Sequence, residues 1–223
     1  WAWHTVIDAL SQHFTCYAID QLGHGESDAP PRETFSIPDY NRTMHQAMQA
    51  LNIPMAHFIG QLAGGSLCIE MAASYPEVVG KLVLSAIPVV DPRNTAKRPW
   101  GNLWDENGLP NRWDPEYMIA GGHFFDPKPE MYDELNRSRA QGGKWTRIHS
   151  TTNAWYDMVA RLPIIKPTAT LVIMGEICAY NEIVDIMVFN LPNASKVIIP
   201  KTGNFLHVED TKGFSSAVLD FLK

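Results

Sequence analysis

Three loops, each of which follows a short apolar run, carry the side chains that could do chemistry. They supply an amide at Gln61, a thiol at Cys178, and an amide and an imidazole at Asn204 and His207. A thiol becomes a nucleophile only when a base beside it takes its proton, and none is visible near Cys178 in the sequence. The cysteines and histidines show no metal-ligand spacing, and we expect neither a metal nor a cofactor.

The elements that position these loops alternate between short apolar strands and amphipathic helices. This alternation predicts an α/β fold in which helices cover a parallel sheet on both faces. Strands are predicted over residues 15–19, 56–59, 81–85, 170–174 and 196–199, and helices over residues 3–13, 38–51, 64–75, 183–191 and 213–222.

Several of the loops resemble motifs of the α/β-hydrolase fold superfamily. Residues 20–27, Asp-Gln-Leu-Gly-His-Gly-Glu-Ser, look like its DxxGxGxS loop, and residues 58–65 look like its G-x-S-x-G nucleophile elbow. Residues 171–176 and 200–209 resemble the segments that present the acid and the histidine. The resemblance covers essentially the whole chain. It implies a mostly parallel sheet with a helical cap insertion, as in epoxide hydrolases, haloperoxidases and C–C hydrolases.

The resemblance places Leu62, Cys178 and Asn204 at the three positions of the Ser-Asp-His triad. That mechanism needs a hydroxyl, an imidazole that takes its proton and a carboxylate that orients the imidazole. None of the three groups is present, so we predict that these positions are inactive in serine hydrolysis. The backbone N–H of Ala63 would remain as half of an oxyanion hole.

The three replacements are mutually consistent. A buried carboxylate without its histidine would leave an uncompensated charge, which costs about 3–5 kcal/mol, and a neutral Cys178 beside Asn204 avoids that cost. The elbow residue normally has strained backbone geometry that costs about 1–3 kcal/mol. At Leu62 we therefore expect either a relaxed turn or a strain that packing holds in place, with the side chain filling the former nucleophile site.

Neighbouring residues offer weaker substitutes for the missing triad. Ser66 is a full turn into the helix and is interpreted as a small residue packed on the sheet. Asp91 follows the third predicted strand, where some relatives keep an alternative acid, but an acid has no triad role without an imidazole. His207 is three residues past the histidine position and is better explained by a structural role. Gln61, Asp91 and His207 stay candidates for lining the pocket.

The resemblance also implies strands that residues 1–223 do not contain. One of them, which ends in the oxyanion loop, comes just before the first predicted helix and lies between the strands at 15–19 and 56–59. Without it, the sheet would have unpaired backbone groups on both sides of a gap. We expect either that the chain is a fragment or that a partner chain supplies the strand.

Residues 88–162 interrupt the alternation with Pro, Gly, Asn and five of the seven tryptophans. They are predicted to form the cap between two parts of the core, residues 1–87 and 163–223. The tryptophans could line a cavity for a small, largely apolar molecule, or could only bury the cap against the core. His123 and His149 are expected at the surface or as helix caps.

The composition narrows the class of protein. With 45% hydrophobic and 19% charged residues, the chain is typical of a globular domain, and no apolar run is long enough to span a membrane. A net charge of −6 argues against nucleic acid as a partner. Three scattered cysteines exclude a disulfide framework and favour a reducing, cytoplasmic location.

Three functions are open on the sequence alone. The first is a non-catalytic member, either a pseudoenzyme or a pocket for a ligand or partner. The second is a triad-independent lyase, cyclase or isomerase that uses Gln61, Asn204, His207 and the Ala63 amide. The third is an altered hydrolase, natural or engineered, whose parent cleaves an ester, an epoxide or a C–C bond.

Overall fold

The computed structural model describes residues 2–89, 103–165 and 167–223. Four parallel strands form one sheet in the order β1-β2-β3-β4, and they span Ala56–Gln61, Val79–Ser85, Thr170–Gly175 and Ala194–Ile199. Every residue of β3 is buried, so helices cover both faces of the sheet and the predicted parallel architecture is confirmed.

Nine helices occur in the described part of the chain. They are α1 His4–Leu10, α2 Ile37–Ala50, α3 Ala63–Ser74, α4 Pro115–Ala120, α5 Pro129–Gly142, α6 Lys144–Ala154, α7 Asn181–Phe189, α8 Leu206–Glu209 and α9 Thr211–Leu222. Those predicted as α2, α3, α7 and α9 are confirmed, with ends that differ by one or two residues. The first helix is shorter than predicted, because the chain turns after Leu10. None of the described helices combines the length and apolarity that a membrane span requires.

The start of α2 shows how local sequence sets an element boundary. The Ser36 side chain accepts a hydrogen bond from the Asp39 N–H, while the Asp39 carboxylate accepts one from the Ser36 N–H. This reciprocal cap satisfies amides that the first turn leaves free. Burial alone would raise the pKa of Asp39, but the bonds from Ser36 and the charges of Arg42 and Arg32 hold it well below its usual range.

The strand predicted over residues 15–19 is wrong in this structure. Residues 15–20 have no regular secondary structure, and the predicted buried strand instead exposes 54% of Tyr17 and 40% of Ile19. The physical reason is that none of the strands in the described parts of the chain lies beside this segment. β1, which should be its near neighbour in the sheet, pairs only with β2 on its other edge.

The described part of the chain between β2 and β3 is mostly helical, as predicted, and α4, α5 and α6 lie there. The limits of residues 88–162 as a cap stay a prediction. A buried carboxylate fastens this region to the core: Glu70 of α3 accepts a 2.8 Å hydrogen bond from the Tyr156 hydroxyl and pairs with Arg161 at 3.0 Å. The Ser74 hydroxyl also donates to this carboxylate at 2.6 Å, and because Glu70 is 1% exposed, these three partners compensate for its burial.

Candidate functional site

A single residue, Leu62, separates the end of β1 from the start of α3. Its backbone has φ 49° and ψ −119°, in the positive-φ region that side chains rarely adopt. The Leu62 N–H donates to Ser85 O of β2 at 3.0 Å, and the Gly65 N–H donates to Leu62 O at 2.9 Å. The turn has therefore kept its strained geometry and has not relaxed.

Close approach of strand and helix explains why Gly60 is required at this turn. A Cβ on Gly60 would lie 2.3 Å from Gly64 O and 2.6 Å from the Cys68 sulfur. The first turn of α3 therefore packs directly on the β1 backbone. This packing, together with the hydrogen bond to β2, holds Leu62 in place.

The Leu62 side chain is half-buried and bridges two apolar clusters. One is the main core, and the other, which we call the distal cluster, consists of Met118, Phe124, Leu135 and Phe205. Leu62 therefore gives the turn an apolar contact where a nucleophile would need access to a substrate. Ser66, one turn further along α3, is fully buried, which fits its interpretation as a packed helix residue.

Asn204 meets two other side chains of the site. It lies in the loop after β4 and is fully buried. Gln61 Nε2 donates to Asn204 O at 2.9 Å, so two of the predicted site residues are joined across 143 positions of sequence. The Asn204 side-chain amide lies 3.1 Å from His123 Nδ1, which sequence reasoning did not connect to it.

That Cys178 lies beside Asn204 stays a prediction, and one turn of the α4 region contacts both of their loops. The Asn204 N–H donates to Gly122 O at 2.9 Å, and a Cβ on Gly122 would lie 2.6 Å from Ile177 O. The side-chain amide of Asn204 is hydrogen-bonded to His123. Burial raises the pKa of the Cys178 thiol to about 11, although a hydrogen bond from the Tyr180 backbone lowers it in part.

The sequence predicts His123 and His149 at the surface or as helix caps, and both are instead partly buried against aromatic rings. His123 stacks on Trp113 with ring centroids 4.8 Å apart. Burial, aided by the Arg139 charge, lowers the pKa of His123 to about 4. The ring is therefore neutral at pH 7, and its Nδ1 accepts the hydrogen bond from Asn204. Burial and the neighbouring His24 lower the pKa of His149 to about 3.

His207 lies in an aromatic enclosure. Its ring is fully buried and stacks on Trp3 at 4.8 Å, with Phe214 at 5.8 Å. Burial lowers its pKa to about 3, and neither ring nitrogen has a hydrogen-bond partner among the described residues. These contacts favour the structural role over a place in the pocket.

Other predicted site features have mixed outcomes. Ala63 is the first residue of α3, and its role as an oxyanion donor stays a prediction. Asp91 lies outside the described residues. A groove of about 900 Å³ runs along β1 and is lined by Trp3, but by none of the described tryptophans of the predicted cap. Trp155, one of the tryptophans of the predicted cap, is 64% exposed, so it neither lines this groove nor is buried against the core.

Sequence reasoning missed Glu209, which fastens the Asn204 loop. Its carboxylate accepts hydrogen bonds from the N–H groups of Gly203, Phe125 and Asp126 at 2.7–3.0 Å. The sequence feature that could have indicated this contact is a carboxylate six residues after Gly203. Within the described parts of the chain, no group of three or more potential metal ligands occurs.

Comparisons with known proteins agree with this architecture. A family model described as alpha/beta hydrolase fold matches residues 1–109. An uncharacterized protein of Mycobacterium tuberculosis is 35% identical over 82 residues, which cover 37% of this chain and only 24% of that protein. The 2-hydroxy-6-oxononadienedioate/2-hydroxy-6-oxononatrienedioate hydrolase of Burkholderia vietnamiensis is 28% identical and is matched over 100% of this chain and 82% of its own length.

Solved structures give the same fold. MenH from S. aureus superimposes with a TM-score of 0.82 at 20% identity, covering 99% of this chain and 88% of that one. The turn at Leu62, the parallel sheet and the family match converge on one conclusion. The described parts of the chain have the α/β-hydrolase fold, and residues 1–109, just under half of the chain, match the family model.

Proposed function

We propose that this chain is a catalytically degenerate α/β-hydrolase-fold protein that works by binding rather than by serine hydrolysis. The observation that carries the proposal is Leu62 in the strained turn between β1 and α3. The turn keeps the geometry that would present a nucleophile, but it presents an alkyl side chain in contact with two apolar clusters. No triad chemistry can start from that side chain.

The other two triad positions add no reactive group. With a pKa of about 11, the Cys178 thiol is protonated at pH 7 and is a poor nucleophile. Asn204 cannot take a proton, and its amide is engaged with His123. The site therefore holds neutral groups where hydrolysis needs a nucleophile, a base and an orienting carboxylate.

Relatives indicate the chemistry from which the chain departs. The Burkholderia vietnamiensis relative is named as a hydrolase of 2-hydroxy-6-oxononadienedioate, which supports a parent that hydrolyses an ester, an epoxide or a C–C bond. If the pocket is retained, its apolar surroundings favour a small, largely apolar ligand.

A triad-independent enzyme is the second candidate, and one specific contact set favours it. Gln61, Asn204 and His123 form a chain of hydrogen-bonded neutral groups that begins next to Leu62. Such groups can position a substrate without forming a covalent intermediate. Lyase, cyclase and isomerase reactions need no more than positioning and one proton transfer.

A turnover assay separates the two candidates. Purified chain is incubated with 2-hydroxy-6-oxononadienedioate and with a p-nitrophenyl ester, and products are measured for the wild type, Gln61→Ala and Asn204→Ala. Gln46→Ala, on the exposed face of α2, is the matched control. The proposal predicts no turnover above buffer for any of the four proteins. Turnover that falls in Gln61→Ala and Asn204→Ala but not in the control would contradict it and show that these two residues support a reaction without the triad.

A further inference from the structure

A single short segment, residues 122–126, meets the loops of all three triad positions. This segment, which we call the strap, follows α4 and leads toward α5. The Asn204 N–H donates to Gly122 O at 2.9 Å, and the Phe205 N–H donates to His123 O at 3.1 Å. Two successive amides of the loop after β4 are therefore paired with two successive carbonyls of the strap.

The strap also lies against the other two triad positions. A Cβ on Gly122 would lie 2.6 Å from Ile177 O, so the strap backbone packs directly on the chain next to Cys178. Phe124 of the strap is fully buried and belongs to the distal cluster, on which Leu62 packs. The same few residues thus cover the positions that would hold the nucleophile, the acid and the base of a serine hydrolase.

Glu209 links the strap to the loop after β4 with both oxygens of its carboxylate. Oε1 accepts hydrogen bonds from the N–H groups of Phe125 and Asp126 in the strap, at 2.7 and 3.0 Å. Oε2 accepts one from the Gly203 N–H in the loop, at 2.7 Å. Because hydrogen bonds to a carboxylate are stronger than those to a neutral acceptor, this side chain is the main link between the two segments.

The helix α4 gives the strap little other attachment to the core. Among the described elements, α4 packs extensively on no other helix or strand. The strap follows Gly121 and begins at Gly122, which has φ 66°, a conformation that glycine adopts without strain. A pair of glycines beside a lightly packed helix can absorb the backbone rotation of a hinge.

The closed strap leaves Asn204 out of reach of a ligand. This residue is 0% exposed, and its side-chain amide lies 3.1 Å from His123 Nδ1. Leu62 is half-buried and packs on the distal cluster, to which the strap contributes Phe124. A molecule that contacts both triad positions must therefore displace the strap first.

We propose that residues 122–126 are an autoinhibitory strap, which closes the ligand site at Leu62 and moves away as one unit, about Gly121 and Gly122, when a small apolar molecule binds. Glu209 sets the population of the open form, since it bonds both the strap and the loop. The apparent affinity for such a molecule is then reduced in proportion to the fraction of open chains. Strap motion rests on the proposed function only for the place of the ligand site, and it is measured without turnover.

Hydrogen exchange of the wild-type chain at low urea, read by mass spectrometry, tests whether the strap opens as a unit. Local opening exposes amides at a lower free energy than global unfolding does. We expect the amides of residues 122–126 and 203–205 to exchange with one common opening free energy, which is smaller than that of β3. Exchange of either segment only together with β3, or unequal opening free energies for the two segments, would overturn the proposal.

Glu209→Gln tests the link itself, with Glu130→Gln, at an exposed position in the first turn of α5, as the matched control. The variant loses the charge and one acceptor oxygen, so we expect exchange in both segments to accelerate about tenfold while β3 is unchanged. The control should exchange like the wild type. Acceleration in one segment alone, or equal acceleration in the control, would contradict the role of Glu209. If Glu209→Gln does not fold, the wild-type exchange experiment still decides the proposal.

Chemical labelling tests whether the strap blocks the site. Leu62→Cys places a thiol at the triad position, and a fluorescein maleimide is too large to reach it past the closed strap. We expect Leu62→Cys/Glu209→Gln to be labelled at position 62 about tenfold faster than Leu62→Cys, with Cys68, which is 5% exposed in α3, as the internal control. Equal rates at position 62, or an equal rise at Cys68, would show that the strap does not gate the site.

Discussion

The strain at Leu62 predicts an inverted response to glycine. Leu62→Ala removes the apolar contacts of a half-buried side chain and should destabilise by about 2 kcal/mol. Leu62→Gly removes the same contacts but also releases the positive-φ strain at φ 49°, which costs about 1–2 kcal/mol. The larger entropy of glycine in the unfolded chain offsets about 0.5–1 kcal/mol of that gain. Leu62→Gly should therefore be more stable than Leu62→Ala by about 1 kcal/mol.

Urea unfolding of the two variants measures this difference, and a control pair calibrates it. Ala72 is buried in the body of α3, where Ala72→Gly should destabilise by about 1 kcal/mol. In thermal unfolding, each kcal/mol corresponds to about 2–4 °C for a chain of this size. The alternative result is a loss of unfolding free energy from Leu62→Ala to Leu62→Gly that equals the loss from wild type to Ala72→Gly. That result would show that the turn is relaxed in solution. The argument that packing holds the turn at Leu62 in its strained geometry would then be refuted.

Three further predictions concern buried polar groups. Tyr156→Phe leaves the Glu70 carboxylate with one hydrogen-bond donor fewer and should destabilise the chain by about 1–3 kcal/mol in urea unfolding. The control Tyr17→Phe, at an exposed ring, should change stability by less than about 0.5 kcal/mol. Equal effects of the two variants would contradict the role of the Glu70 contact. Asp39→Asn should cost about 1–2 kcal/mol at pH 7. Because the pKa of Asp39 is depressed in the folded state, its contribution is fully present above its unfolded pKa of 3.8 and is lost as pH falls from there through the lower folded pKa. The gap between variant and wild type should therefore narrow steadily from pH 4 to pH 2, and a constant gap would contradict the assignment. The pKa of His207 is lowered to about 3, so the unfolded chain takes up a proton between pH 6.5 and 3 that the folded chain does not, and folding weakens as pH falls through that window. On going from pH 7 to pH 5, the wild type should lose about 2 kcal/mol more than His207→Phe, and equal losses would show that this histidine is not held neutral.

Local pattern was enough to predict the elements that carry the site. The β1 and α3 boundaries follow from an apolar run, a pair of glycines and a helical stretch, all within about 20 residues. The positive φ at Leu62 could be stated as one of two outcomes, because the glycines predict a sharp turn whatever residue occupies its centre. Packing decided between those outcomes, and packing is not local.

Contacts between distant segments could not be predicted from the sequence. His123 and Asn204 are 81 positions apart, and nothing in the periodicity of either segment brings them together. Residues 15–19 fail for a related reason. Their apolar character correctly indicates a chain that should be buried, but a strand forms only when a neighbour pairs with it, and in the described structure none lies beside this one.

The most direct test of the central claim is intact-mass analysis after incubation with a serine-reactive fluorophosphonate, with an active serine hydrolase as the positive control. The account predicts that the mass of the chain does not change, because Leu62 replaces the nucleophile and Ser66 is fully buried. A stoichiometric adduct on one serine would contradict the account, and mapping that serine would locate the true nucleophile.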